Sequence, residues 1–317
     1  MLVKNANLSN KSYQISHRFI LFFLRIIKMV HLLITGDAGT GDRHQKRVAK
    51  MMKLLMTSAT VACILLGDNI YEVGTQGITD EQFQDKFEKI YREIQVQFYL
   101  LLGNHDWGNS HFSDGRHMSQ VEYTKHSKKW NLPSRYYHKE LGDCDFFFLD
   151  TNFEWQDDDE IQEQYNKMLN LINKSKQTWK ILCGHHTWRS VGGHGNAKKR
   201  LEKFLRELVV NCEKQIHLYM CGHDHCKNVI HLTLPENNSL HCVVIGTGGK
   251  LYDDEYLFLE NIEGPNAKVK DSELLFHSPK LGLCEFESSK QELHLKFYAP
   301  RNDKNHVLEY TLQVNHT

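Results

Sequence analysis

From residue 30 onward the chain alternates continuous apolar runs with stretches of helical period. Residues 30–35, 60–66, 96–102, 144–149, 179–183 and 216–220 are contiguous apolar runs, the signature of strands covered on both faces. Between them, Val48, Met51, Met52 and Leu55 share one helical face. Ile161, Tyr165, Met168, Leu169 and Ile172 share a second, and Leu201, Phe204, Leu205 and Leu208 a third. Thr79 with Gln82 reads as a capping box opening a further helix, with Phe83, Phe87, Ile90, Tyr91 and Ile94 as its stripe. Past Met220 the pattern turns mostly to strands, centred near Val229, Val243, Leu283, Leu295 and Leu308. No repeat or low-complexity linker interrupts it. The expected organisation is an N-terminal extension over 1–29 and a single domain over 30–317. Strand–helix alternation followed by a strand-rich third predicts a mixed α/β fold with helices flanking the sheet or sheets.

Five of the runs end in polar clusters. They are Gly36-Asp37-Ala38-Gly39, Gly67-Asp68-Asn69-Ile70-Tyr71, Gly103-Asn104-His105-Asp106, Gly184-His185-His186 and Gly222-His223-Asp224-His225. Ligands gather beyond the carboxyl ends of strands in α/β sheets, so the clusters are expected to converge. Each alone is a common turn. In extended backbone, His223 and His225 would point the same way, as ligation of metal by neighbouring imidazoles requires. Together the clusters supply aspartate, tyrosine, asparagine and histidine, a thiolate-free donor set suited to Fe, Mn or Zn. A bridging carboxylate can hold two such ions about 3.5–4 Å apart, the spacing used in phosphoryl displacement.

Composition narrows the classes. Lys plus Arg and Asp plus Glu are both 39, so the chain lacks the basic excess of a general nucleic-acid binder, and no nucleic-acid partner is expected. With 40% hydrophobic and 25% charged residues it reads as globular. Histidine, at 20, is the outlier, and a surplus asks whether some of them converge on metal. His44, His111, His217 and His241 have no such placement and read as structural or solvated. The eight Cys show no scaffold spacing. Cys221 and Cys226 bracket Gly222–His225 but lack the second Cys pair of a zinc finger. A cytoplasmic location is favoured. The apolar run over 19–24 is too short to span a bilayer, so no membrane partner is expected. With Lys4, Lys11 and Arg18 before it, that run leaves secretion or anchoring as the alternative. Met29 is an alternative start.

The motif set resembles the purple acid phosphatases of the calcineurin-like metallophosphoesterase superfamily, most closely the small tartrate-resistant type. Phe83-Gln-Asp-Lys-Phe87, Trp130-Asn-Leu-Pro-Ser134 and Leu149-Asp-Thr151 extend the likeness. The resemblance implies two packed mixed β-sheets flanked by helices, an α/β/β/α sandwich. It implies a first metal held by Asp37, Tyr71 and His225, with Asp68 bridging to a second held by Asn104, His185 and His223. Many members of the superfamily carry Asp-x-His in the first motif, where Gly39 stands here. Tyr71 supplies a phenolate instead, a hard donor that favours Fe(III), leaving Fe(II), Zn or Mn for the second position. The implied activity is hydrolysis of phosphate monoesters by a metal-activated hydroxide. His105 and His194 would protonate the leaving group, while Asp106 and His186 are further candidates near substrate. A monomer is expected. A phosphodiesterase or nuclease, or a catalytically weak binding protein on the same fold, are the competing readings.

Overall fold

The protein is described by a computed structural model over residues 29–108, 115–235, 238–253, 257–264, 267–302 and 304–316. The extension expected over 1–29 lies outside the described residues except for Met29, as does His111.

The apolar runs do form buried strands. β1 (Val30–Thr35), β2 (Thr60–Leu65) and β3 (Gln97–Leu100) pair in parallel, and β3 carries the short parallel strand β4 (Trp130–Asn131). Between β1 and β2 runs α1 (Arg43–Leu55). Its N-cap Asp42 accepts the backbone N–H groups of His44 and Gln45, and Val48, Met51, Met52 and Leu55 are buried. The strand-rich third completes this sheet through β12 (Leu283–Ser288), β13 (Glu292–Pro300) and β14 (His306–Asn315), all joined antiparallel. The strand order is β14-β13-β12-β1-β2-β3-β4.

The second sheet has the order β11-β9-β10-β8-β7-β6-β5. Its centre is parallel, built from β6 (Cys144–Phe148), β7 (Trp179–Cys183), β8 (Leu218–Cys221) and β10 (Ser239–Ile245). The antiparallel strands β5 (Tyr137–Leu141), β9 (Lys227–Thr233) and β11 (Ser272–Ser278) complete it. One core contains residues of both sheets, among them Leu32, Ile64, Phe146, Met220, Val243 and Phe286. A second core joins Phe147, Leu182 and Tyr219 to Met168 and Ile172 of α3 (Asp158–Lys174) and to Leu201, Phe204, Leu205 and Leu208 of α4 (Lys199–Asn211). The two mixed sheets and their flanking helices form the expected α/β/β/α sandwich.

Three local expectations are corrected. The helix expected after Thr79 is a π-helical turn over Gln84–Glu88 within a run of turns. Asp80, not Thr79, accepts the backbone N–H groups of Gln76 and Gln82. Phe83, Phe87, Tyr91 and Ile94 are still buried, so the stripe packs without a regular helix beneath it. The edge strands β5 and β11, the short β4 and the helix His117–Tyr123 (α2) were not expected, because they lack continuous apolar runs. The eight cysteines are free. Among the described residues no helix is long and apolar enough to cross a membrane.

Candidate metal centre

The five polar clusters follow β1, β2 and β3 of one sheet and β7 and β8 of the other. Three of their residues, Asp37, Asp68 and His223, have φ of 56°, 50° and 68°. Among the described residues these are the only non-glycine residues with positive φ. The left-handed conformation turns each side chain off the end of its strand. The route by which His223 and His225 converge therefore differs from the extended one expected: His223 sits in a turn, and the two rings serve different halves of the centre.

In the first half, Tyr71 Oη donates to Asp37 Oδ1 at 3.1 Å. His225 Nε2 stands 3.3 Å from Tyr71 Oη and 3.6 Å from Asp37 Oδ1. In the second half, Asn104 Oδ1 lies 3.0 Å from both His185 Nε2 and His223 Nδ1. Asp68 joins the halves: its Oδ1 is 3.4 Å from His185 Nε2, and Asp37, Asp68 and His185 offer ligand atoms within 4.8 Å of one another. The structure thus brings together all seven side chains singled out in the sequence. His185 Nδ1 faces the Leu66 carbonyl at 2.8 Å, and a proton donated there leaves the Nε2 lone pair directed into the centre.

Glycines permit this closeness. A Cβ on Gly39 would meet the Asn69 carbonyl at 2.1 Å, so no histidine of the Asp-x-His kind fits there without moving the β2 loop. Gly67, at φ 87°, passes so close to His185 that a Cβ would lie 2.5 Å from its Nδ1.

Electrostatics fit a cationic occupant. Burial, with the neighbouring Asp68 charge, pushes the Asp37 carboxyl well above the usual range. Burial also works against an ionised Asp68, but His185 and the His105 amide and ring outweigh it and hold that carboxyl well down. His185 is driven the other way to about 9, with the Asp68 charge outweighing burial. Burial and Asp37 raise the Tyr71 phenol. Burial lowers His186, His194 and His223, and takes His225 to about 4, so the two ligand candidates His223 and His225 present neutral lone pairs. Two buried carboxylates cannot share this space uncompensated. The carboxylate, phenol, amide and imidazole donors match hard and borderline cations.

Around the centre, the His105 ring packs 4.4 Å from that of Tyr71, with Nε2 3.9 Å from Asp68 Oδ2. His194 stacks on His223 at 4.0 Å. The His186 ring lies 4.4 Å from that of His223, and its Nδ1 is bound to Thr151 Oγ1 at 2.9 Å. Asp106 is not among them. It is fully buried and accepts from Gly103 N, Asn69 N and Nδ2, Ile70 N and Gln120 Nε2, tying the β2 and β3 loops together. Among the described residues its carboxylate is engaged by these backbone and amide donors, and none of its hydrogen bonds is to the His105 ring. The glycine-rich turn Gly246–Gly249 packs against Gly36 and Ala38, with Gly248 N donating to the Gly36 carbonyl.

Asp224 was missed. It lies between His223 and His225 and reads there as a spacer, yet it is fully buried. Its carboxylate accepts Ser190 Oγ at 2.5 Å, Tyr252 Oη at 2.6 Å and the backbone N–H groups of His194 and Gly195. It holds the turn that presents His194. Thr151, whose Oγ1 also accepts the N–H groups of His185 and His186, was likewise not assigned a role. Beside Tyr71 opens a cavity of ≈ 520 Å³ bordered by Glu72, Lys250 and Tyr252.

Residues 30–227 match the Calcineurin-like phosphoesterase family. Purple acid phosphatase 7 of Arabidopsis thaliana is 30% identical over 217 residues, which cover 61% of this chain and 63% of that relative, less than two thirds of its length. Tartrate-resistant acid phosphatase type 5 of Homo sapiens is 29% identical over 255 residues, 73% of this chain and 71% of that one. Among solved structures, GAP50, described as the anchor in the inner membrane complex of Plasmodium, aligns with a TM-score of 0.71. That likeness covers 91% of this chain and 89% of GAP50, and at 21% identity it is one of fold.

Proposed function

The chain belongs to the calcineurin-like phosphoesterase family, and from that we propose that it is a phosphomonoesterase of the purple acid phosphatase type, working with two metal ions. The observation that carries this reading is the pair of donor groups on either side of Asp68. Asp37, Tyr71 and His225 would hold Fe(III), and Asn104, His185 and His223 would hold Fe(II), Zn or Mn. When bound, such a pair supplies Lewis acidity toward phosphoryl oxygens and acidifies water enough to act as nucleophile near or below neutral pH.

The chain's own groups do the rest. An alkoxide leaving group needs a proton, and His105 and His194 flank the centre. His105 Nδ1 is bound to the Glu72 carbonyl, which leaves Nε2 facing the centre beside Asp68. That is the atom that would carry the proton. His194 reaches the same space from the other sheet, on the turn held by Asp224. His186, bound through Nδ1 to Thr151, packs its ring 4.4 Å from that of His223. As a neutral donor, Asn104 would leave an ion held there more electrophilic than a carboxylate would.

The test compares hydrolysis of para-nitrophenyl phosphate with that of bis-para-nitrophenyl phosphate at acidic pH, together with metal content and the visible spectrum. Turnover of the monoester well above the diester, two ions per chain, and a charge-transfer band lost in Tyr71→Phe are expected. Preference for the diester overturns the monoesterase reading. A colourless, fully metallated protein overturns the ferric assignment.

A further inference from the structure

The histidine surplus is not exhausted by the catalytic pocket. At the opposite end of the second sheet, His231 of β9 and His241 of β10 face each other in register, and Glu273 of β11 stands in register on the other side of His231. The three therefore form a row on one face of three adjacent strands. That face is the one turned to the core between the sheets: one step along, Val229 pairs with Val243, and His241 is flanked on β8 by Leu218, all three in that core. Apolar side chains continue the row, yet two half-buried imidazoles occupy these positions. Among the described residues, neither ring has a hydrogen-bond partner.

Their spacing carries the argument. The ring centroids of His231 and His241 are 5.2 Å apart and tilted by 51°. Two imidazoles bound tetrahedrally to one ion through nitrogens at about 2.0–2.1 Å have ring centres roughly 5 Å apart. Within the catalytic centre, His185 and His223, assigned above to a single ion, have centroids 5.0 Å apart. Burial and the neighbouring His231 take His241 down to about 4, so at neutral pH its lone pair is free to coordinate. A half-buried pair of imidazoles is a donor set for borderline divalent ions.

We propose that His231 and His241 form a further metal site that binds one Zn²⁺-class divalent cation (Zn²⁺, Cu²⁺ or Ni²⁺), with water in its remaining positions, and clips β9 and β10 together. The site is separate from the catalytic pocket, and the proposal does not rest on the phosphatase reading. An ion bound there stabilises the folded chain by mass action and takes no part in turnover.

The test uses the full chain with its catalytic metals loaded, equilibrated with Zn²⁺ and then with Cu²⁺ as probes. The wild type is expected to hold one Zn²⁺ per chain more than His231→Gln or His241→Gln. Phosphate-ester turnover stays the same in all three. The extra Cu²⁺ is expected to show nitrogen hyperfine coupling that either His variant removes. Equal zinc content in wild type and variants overturns the site. Should a variant fail to fold, the wild type alone decides: Zn²⁺ must shift the His231 and His241 ring resonances together, and unmoved resonances overturn the proposal.

Discussion

Asp37, Asp68 and His223 adopt a conformation that L-residues other than glycine avoid, at about 1–2 kcal/mol each. Such strain persists only where the surroundings fix it, and here buried carboxylates do much of the fixing. The Asp37 carboxylate accepts the His223 N–H at 2.8 Å, and Asp106 gathers the loop that carries Asp68. Asp224 does the same for His194. Replacing it with asparagine keeps the shape but puts an N–H₂ group where donors converge. Asp224→Asn is expected to lower stability by about 2–3 kcal/mol, the range for losing charge-assisted hydrogen bonds. Its catalytic effect should depend on the leaving group. If Asp224 positions His194 as proton donor, kcat falls more for alkyl than for aryl phosphates, because only the poor leaving group needs the proton. Equal losses on both substrates would reduce Asp224 to a structural residue.

The parallel strands were legible because covering a strand on both faces writes a continuous apolar run; residues 179–183 appear with the same bounds in sequence and structure. The edge strands β5 and β11 were not; β5 is paired only to β6 and carries His138, Lys139 and Glu140. Helix starts misled for a related reason: the Thr79 and Gln82 pair satisfies a spacing rule, while Asp80 had the stronger acceptor one residue later. The capping box that does form is at α3, where Asp157 accepts the Glu160 N–H and Glu160 accepts the Asp157 N–H. Asp157→Ala should cost about 1 kcal/mol in equilibrium unfolding while leaving ester hydrolysis at the wild-type rate. A loss well under half of that would mean that the tertiary packing of α3, through Met168 and Ile172, fixes its N-terminus without the cap.

The centre belongs to neither sheet alone. β1, β2 and β3 deliver Asp37, Asp68, Tyr71 and Asn104, while β7 and β8 deliver His185, His223 and His225. The sequence lists these clusters in order but does not say that two sheets divide them, and so shows which residues meet without showing across what boundary. Ions held by these seven side chains would be a structural component of that boundary. Without cations, Asp37 and Asp68 face each other buried, and the cost of that charge opposes the packing of one sheet against the other. Chelation should therefore lower the unfolding temperature, and re-adding Fe, Zn or Mn should restore it. At free metal 100-fold above Kd, each site contributes about 2.7 kcal/mol. Asp68→Asn supplies the internal control. With one buried charge removed, the metal-free variant should be at least as stable as the metal-free wild type, and it should gain much less from added metal. If the wild type, shown by metal analysis to be stripped, melts where the loaded protein does, the seven side chains do not hold ions across the sheets, and the hydrolytic proposal loses its foundation.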